Sequence, residues 1–340
     1  MLKVVYRSYA PPIVLLFYLI IVSVILIHLL DTYLTYFNQG DIMNHRDLLI
    51  ALSIMAVWGL NFSVIKLGVG EADPVLVTAL RFTFATVPAI FFVKRPNVKW
   101  IYLLSYGLVF TIGVWGMTTW SMDAGLSAGM ASVLLQLNVF IAVILGYLFL
   151  NEPLSRAKMS GCVLAICGLA LSLSVTDGTV SLAGVLLILL AALCWSIASI
   201  IIKKAATKEV FAFTVWAMLY ALLPLYILAF YHSGAQQFQH TLQTWNSSLA
   251  FSVLFQAYPV TLLGYWIWNR ILSKYPLSMV APLTLLVPIF GLLGAALFYQ
   301  EQVGSTKIIS CLLIISGLMV GLIRPEVWST LRLQVNVLRR

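Results

Sequence analysis

Apolar residues run through this chain in blocks of about 20, parted by short polar joints. A helix needs about 20 apolar residues to cross a hydrocarbon core of ~30 Å. The pattern predicts helices at about 48–67, 75–93, 101–121, 127–149, 157–174, 182–202, 211–230, 249–269, 278–299 and 307–323. A further apolar block covers about 13–30. The joints are mostly short, so neighbouring helices are expected to run antiparallel. The longer joint, 231–248, is rich in Gln, His, Ser and Thr, lacks Lys and Arg, and reads as a loop.

The polar joints alternate in charge. Number the ten spans after the first block 1 to 10. Fifteen basic residues then fall on one side: Arg46; Lys94, Arg95 and Lys99; Arg156 and Lys158; Lys203, Lys204 and Lys208; Arg270 and Lys274; Arg324, Arg332, Arg339 and Arg340. The alternate side holds only Lys66 and Lys307. The positive-inside rule therefore expects both ends of the ten-helix body in the cytoplasm, in a multi-pass protein of the inner (plasma) membrane. Composition agrees: 62% of residues are hydrophobic and 9% charged, against about 25% charged in soluble domains. The net charge of +9 is scattered over the joints and marks no nucleic-acid partner. The expected partners are the lipid bilayer and a small-molecule substrate.

Residues 1–45 stand outside this scheme. Lys3 and Arg7 precede the block 13–30 like the start of a signal peptide, but no A-x-A-like site follows. Two readings stand: an extra helix with its N-terminus outside, or an extension upstream of a start at Met43. The second is preferred, and neither gives the segment a role in transport.

The body contains an internal repeat. Trp58-Gly-Leu-Asn-Phe-Ser-Val-Ile-Lys66 has a weaker copy 137 residues later, where Trp195 is again followed eight residues on by Lys203. Shifted by 149 residues, Leu148–Glu152 falls on Leu297–Glu301, Gly168 on Gly317, and Ala131–Leu135 more loosely on Val280–Thr284. The unit is five spans. A unit with an odd number of spans inserts upside down in its second copy, as in inverted-repeat transporters whose substrate sites lie near the bilayer midplane. The expected fold is all-α and integral to the membrane, with ten transmembrane helices as two inverted five-helix repeats, 46–175 and 176–324, and a basic cytoplasmic tail, 325–340.

These residues also carry a resemblance. W-G-x-N-F at Trp58, L-R-F at Leu80–Phe82, Asn151-Glu152, Trp195, V-A-P-L-x-L-L-V-P from Val280 to Pro288, and Glu301 are similar to the pattern of the EamA family. This family lies in the drug/metabolite transporter superfamily, and within it the chain most resembles the O-acetylserine/cysteine exporter type. The likeness covers about 46–323. It implies ten helices in two repeats and export of a small metabolite.

Polar residues inside the spans are the candidates for chemistry. Arg81 lies about a third of the way into span 2, where a cation costs ~2.5–3.5 kcal/mol unless it faces water or a partner. It reads either as an anchor for a substrate carboxylate, which suits the guanidinium fork, or as a structural group that snorkels towards the span 1–2 joint or ties to backbone at a helix end. Asn61, beside Trp58, either lines the pathway or clamps a neighbouring helix. Gln136 and Asn138 lie about 200° apart on a helix of 3.6 residues per turn, so one is expected to line the pathway and the other to pack. Ser196 and Ser199 share one face of span 6, which also carries Trp195, and Thr261, Tyr265, Trp268 and Asn269 form a polar-aromatic strip in span 8; an interfacial role also suits Trp268, as it does Trp100 and Trp245. The substrate-binding set is thus Trp58, Asn61, Arg81, Gln136, Asn138, Trp195, Ser199 and Tyr265.

Pro88, Pro224, Pro259, Pro282 and Pro288 lie within spans and remove backbone hydrogen bonds. Pro259, Pro282 and Pro288 are read as gating or cavity-shaping kinks. Gly125/Gly129 and Gly317/Gly321 have the spacing of close helix contacts, within the fold or across a homodimer. Glu152 and Glu301 precede the next helices and are expected to serve their free N–H groups. The four cysteines read as small apolar core residues, and no His, Cys or acidic grouping has the spacing of a metal site. No cofactor is expected.

The reading is a secondary transporter exporting small amino acids or related metabolites by alternating access. The alternatives keep the fold and carry drugs, sugars or nucleotide-type solutes, or make the chain a non-transporting membrane protein. No Asp or Glu lies at the centre of a span, and no P-loop or catalytic motif is present, which argues against a carboxylate proton relay, direct use of ATP and an enzyme.

Overall fold

The computed structural model describes residues 43–150, 154–243, 245–275, 280–301 and 304–322. The block 13–30, the Asn151-Glu152 pair and the tail 325–340 lie outside the described residues. The described chain is helical and contains no strand. In order it forms α1 (His45–Val69), α2 (Pro74–Ile90) and α3 (Trp100–Asp123). α4 comprises Ala128–Leu134, the 3-10 turn Leu135–Leu137, and Asn138–Leu150. Then come α5 (Arg156–Ser172), α6 (Leu182–Ala205), α7 (Val210–Gln243) and α8 (Ser247–Lys274). α9 is the 3-10 turn Ala281–Leu285 followed by Leu286–Tyr299, and α10 is Ser305–Leu322. Seven of the described helices are long and apolar enough to cross a membrane, and Pro74–Ile90 and Ser305–Gly321 are shorter apolar helices.

Short polar side chains start these helices where the apolar runs begin. Asp73 accepts hydrogen bonds from the backbone N–H of Val75 and Leu76, with Pro74 in the first turn. Ser127, Ser155, Ser181 and Asn246 cap α4, α5, α6 and α8 in the same way. Ala206 and Gln300 end α6 and α9 in the left-handed region. One expectation fails here. The segment 231–248 is mostly helix: α7 runs on to Gln243 with a break at Gly234 (φ 74°), and only the joint around Trp245 and Asn246 separates it from α8. Gly adopts this φ without strain, so the chain changes direction and resumes the helix although few apolar residues remain.

Contacts between joints gather them at two ends. Glu71 meets Asn246 and Asp73 meets His232, which brings the α1–α2 joint to the α7–α8 region. Ser181 Oγ donates to Ala124 O, and Lys307 Nζ donates to Thr179 and Glu301, linking the α3–α4, α5–α6 and α9–α10 joints. At the other end the start of α1 meets the end of α8 through Asp47, Lys274 and Tyr275. There Trp216 of α7 also donates to Val93 O after α2. Successive helices therefore run in opposite senses.

The interior is apolar and continuous, with Phe62, Phe82, Phe110, Leu134 and Phe213 in one cluster. The outer faces carry exposed Phe149, Val163, Ile166, Leu186, Leu223 and Phe298, as a surface turned to lipid does. The cysteines divide, contrary to expectation: Cys311 is buried, Cys162 and Cys194 are half-buried, and Cys167 lies on the exposed face of α5. The glycines sort likewise. Gly125 sits in a turn at φ 94° and is no half of a helix-contact pair. Gly317 meets Gly161 within the fold, where an added Cβ on either would lie 2.6 or 2.5 Å from the other's carbonyl oxygen.

Candidate functional site

The sequence places Arg81, Gln256 and several aromatic residues inside largely apolar helices, and the fold brings them to one place. Arg81 is 1% exposed. Its Nε and Nη2 donate to Thr261 Oγ1 at 3.2 and 3.0 Å, and its Nη1 donates to Gln256 Oε1 at 3.3 Å. The guanidinium lies 4.1 Å from the centre of the Trp115 ring and 5.1 Å from that of Phe82. Arg81 therefore neither snorkels to a joint nor ties to a helix end. Among the described residues no carboxylate pairs with it. Three of its five N–H groups are used, which leaves one on each terminal nitrogen.

Rings continue from this cation. Trp115 packs against Trp195 at 5.7 Å and Phe110 at 6.5 Å. Phe110 meets Tyr265 at 5.8 Å, and Tyr265 meets Trp58 at 5.5 Å. Trp58 closes the row against Trp268, with its Nε1 donating to Val260 O at 3.1 Å. Tyr106 stacks on Phe110 at 5.2 Å. The row draws on α1, α3, α6 and α8, so both copies of the Trp–Lys pattern contribute their Trp.

The other expected residues are placed as follows. Asn61 is fully buried, and neither atom of its amide has a hydrogen-bond partner among the described residues. Gln136 donates to Thr284 O at 3.4 Å, joining the 3-10 turns of α4 and α9. Asn138 turns back to Leu135 O at 2.7 Å, and its own carbonyl accepts from Ser196. Both amides are thus engaged by backbone. Ser199 is exposed and bonds only its own helix, at Trp195 O, so it does not join the aromatic row. Pro259 sits in a π-helical segment of α8, Pro282 opens the 3-10 turn of α9, and Pro288 lies in the first turn of the α-helix that follows. In those last two positions the missing N–H breaks no interior helix bond.

Glu301 does not serve the next helix. Its carboxylate accepts from Lys66 and Lys307, both at 3.2 Å, and Lys307 is fully buried.

Sequence reasoning missed Gln256, Phe110, Trp115 and Tyr106. Gln256 was legible as a polar residue inside an apolar span, five residues before Thr261. The aromatic residues were not, because rings in apolar spans are common and only packing separates lining from core. An apolar groove of about 430 Å³ lies elsewhere, on the outer face around Tyr258, Pro259, Leu263 and Trp266.

Comparison with known proteins places this geometry. A protein of Salmonella typhimurium named a probable amino-acid metabolite efflux pump is 35% identical, over 85% of this chain and 99% of its own. A protein of the same name from Escherichia coli is 33% identical, over 82% and 95%. A solved crystal structure is similar in fold at TM-score 0.58 and 16% identity, covering 82% of this chain and 96% of that one. The EamA-like transporter family matches twice, over residues 45–174 and 182–323. The chain belongs to the EamA-like transporter family and is a membrane transporter, not an enzyme.

Proposed function

We propose that this chain exports small amino acids or related carboxylate-bearing metabolites by alternating access. The observation that carries the reading is Arg81: a buried cation without a carboxylate among the described residues, held by the neutral oxygens of Thr261 and Gln256. A charge at depth is costly and is kept where it meets a pathway or partner. The rings beyond it suit the rest of an amino acid, since aromatic faces accept both an ammonium group and an apolar side chain. The names of the Salmonella and Escherichia relatives point to the same cargo class.

In this reading the body is ten transmembrane helices in two inverted repeats, 46–175 and 176–324. Residues 1–45 are an extension, and 325–340 a cytoplasmic tail. Helix contacts support the inversion. Exchanging each helix for the one five places on turns the α1–α9 contact into α6–α4 and the α1–α8 contact into α6–α3, and all four contacts are present. The fifteen basic residues of the alternate joints support this body lying in the inner membrane with both of its ends on the cytoplasmic side. Arg81 is closed from solvent here, so loading and release need the packing around it to open.

The test is efflux. Cells expressing the protein are compared with cells expressing Arg81→Ala, with amino acids in the medium measured by mass spectrometry. Loss of charge-assisted bonds worth ~1.5–3 kcal/mol lowers efflux about tenfold or more at equal amounts in the membrane. Equal efflux of every amino acid from the two strains sinks the carboxylate reading.

A further inference from the structure

Two segments of the fold are π-helical: Val109–Gly116 in α3 and Gln256–Leu263 in α8. Each follows nine α-helical residues and each is eight residues long. Such segments are rare and gather at functional sites. They occupy corresponding helices of the two repeats, and both touch Arg81. The α3 segment supplies Trp115 over the guanidinium face, and the α8 segment supplies Gln256 and Thr261 along its edge. The π turn makes the second possible. Thr261 Oγ1 donates to Gln256 O at 2.7 Å, five residues back, so the two residues present side chains to one point. In an α-helix residues five apart diverge by about 140°.

The hold on Arg81 continues into the fold. Gln256 Nε2 donates to Ser252 Oγ at 2.9 Å, and Ser252 Oγ donates to Val64 O of α1 at 2.7 Å. A single line of hydrogen bonds thus runs from α2 through α8 to α1, across the two halves of the chain.

We infer that Gln256 and Thr261 are positioning residues that hold Arg81 while no cargo is bound and yield it to the cargo carboxylate. The inference rests on the reading of Arg81 as the carboxylate anchor. Its chemical basis is that both acceptors are neutral. The bonds to Gln256 and Thr261 are charge-assisted on the donor side alone, whereas a carboxylate adds a full opposite charge and accepts two N–H groups at once, so an incoming carboxylate displaces an amide or hydroxyl oxygen. A carboxylate of the protein at the same place would compete with cargo on equal terms. When cargo takes the guanidinium, Gln256 loses its cation and the line to α1 loosens. Occupancy at Arg81 thereby changes how α8 is held against the first half, which is the differential contact that a cargo-driven shift between states requires.

The experiment uses the full chain in proteoliposomes loaded with an equimolar mixture of the proteinogenic amino acids, each followed by mass spectrometry. Gln256→Glu keeps the shape and gives Arg81 a permanent partner. It is expected to raise the KM of the exported amino acid about tenfold or more, with the new ion pair to Arg81 offsetting in the thermal midpoint the bond that Nε2 made to Ser252. Thr261→Val removes a neutral acceptor without adding charge and guards against a Gln256→Glu form that fails to fold. It is expected to lower KM and turnover together, because cargo no longer competes for Nε and Nη2 while the hold that resets the cycle is weakened. KM within about twofold of the parent in every variant that folds, with Arg81→Ala inactive, overturns the hand-over and leaves the anchor standing. Full export by Arg81→Ala overturns the anchor and the hand-over with it.

Discussion

Asn61 is fully buried in α1, and neither its carbonyl oxygen nor its amino group meets a hydrogen-bond partner among the described residues. An amide left so costs about 1–3 kcal/mol. A purely structural residue would not be kept at that cost, since Leu has similar bulk and no polar atoms. Asn61→Leu is therefore expected to leave the thermal midpoint equal or raised while lowering efflux. A lower midpoint with normal efflux per molecule would make the amide structural. The polar character of this position, and of Arg81, could be read from the sequence, because a polar residue in an apolar span stands out against its neighbours. Which groups satisfy Arg81 could not. Thr261 and Gln256 lie 180 and 175 residues away from it, and their approach depends on a π turn that no residue pattern announces.

At the scale of elements, α5 and α10 make the closest pair. Gly161 and Gly317 stand against each other's backbone, and Gly168 stands against Ser310 O. The spacing of Gly317 and Gly321 marked a close contact, but not whether it lay within the fold or between two copies. The structure spends Gly317 inside the fold. Gly317→Ala places a methyl carbon where 2.6 Å separates it from a carbonyl oxygen, so the helices must part. The expected cost is about 1–3 kcal/mol, read as a lower thermal midpoint in detergent. An unchanged midpoint would mean the contact is looser than described. The break in α7 at Gly234 belongs to this scale too. Polar composition after residue 231 suggested a loop, yet helix continues, because backbone bonds close within a helix whatever the side chains are.

Across the whole molecule, the two basic residues that depart from the charge pattern, Lys66 and Lys307, share one carboxylate, that of Glu301. Their charge is largely met where they stand, which is why they do not weaken the orientation read from the other fifteen. That orientation has its own test. On a background without the four native cysteines, Ser247→Cys is expected to react with a membrane-impermeant thiol reagent added to intact cells. Lys99→Cys is expected to react only after the membrane is opened. The reverse pattern would turn the protein over.

The sequence by itself determined that the chain is a helical membrane protein, that it is built from two related halves, and that it belongs to a transporter family. Span length, charge sidedness and repeated motifs are local or periodic properties, and the bilayer acts on them directly. Tertiary structure alone decided that Trp58, Trp195, Tyr265 and Arg81 are joined through Phe110 and Trp115 while Ser199 turns outward, and that Glu301 meets two lysines. In a span apolar on every side, periodicity does not say which face turns inward. Only the packing of helices distant in sequence, and the unwound turns where they meet, select it.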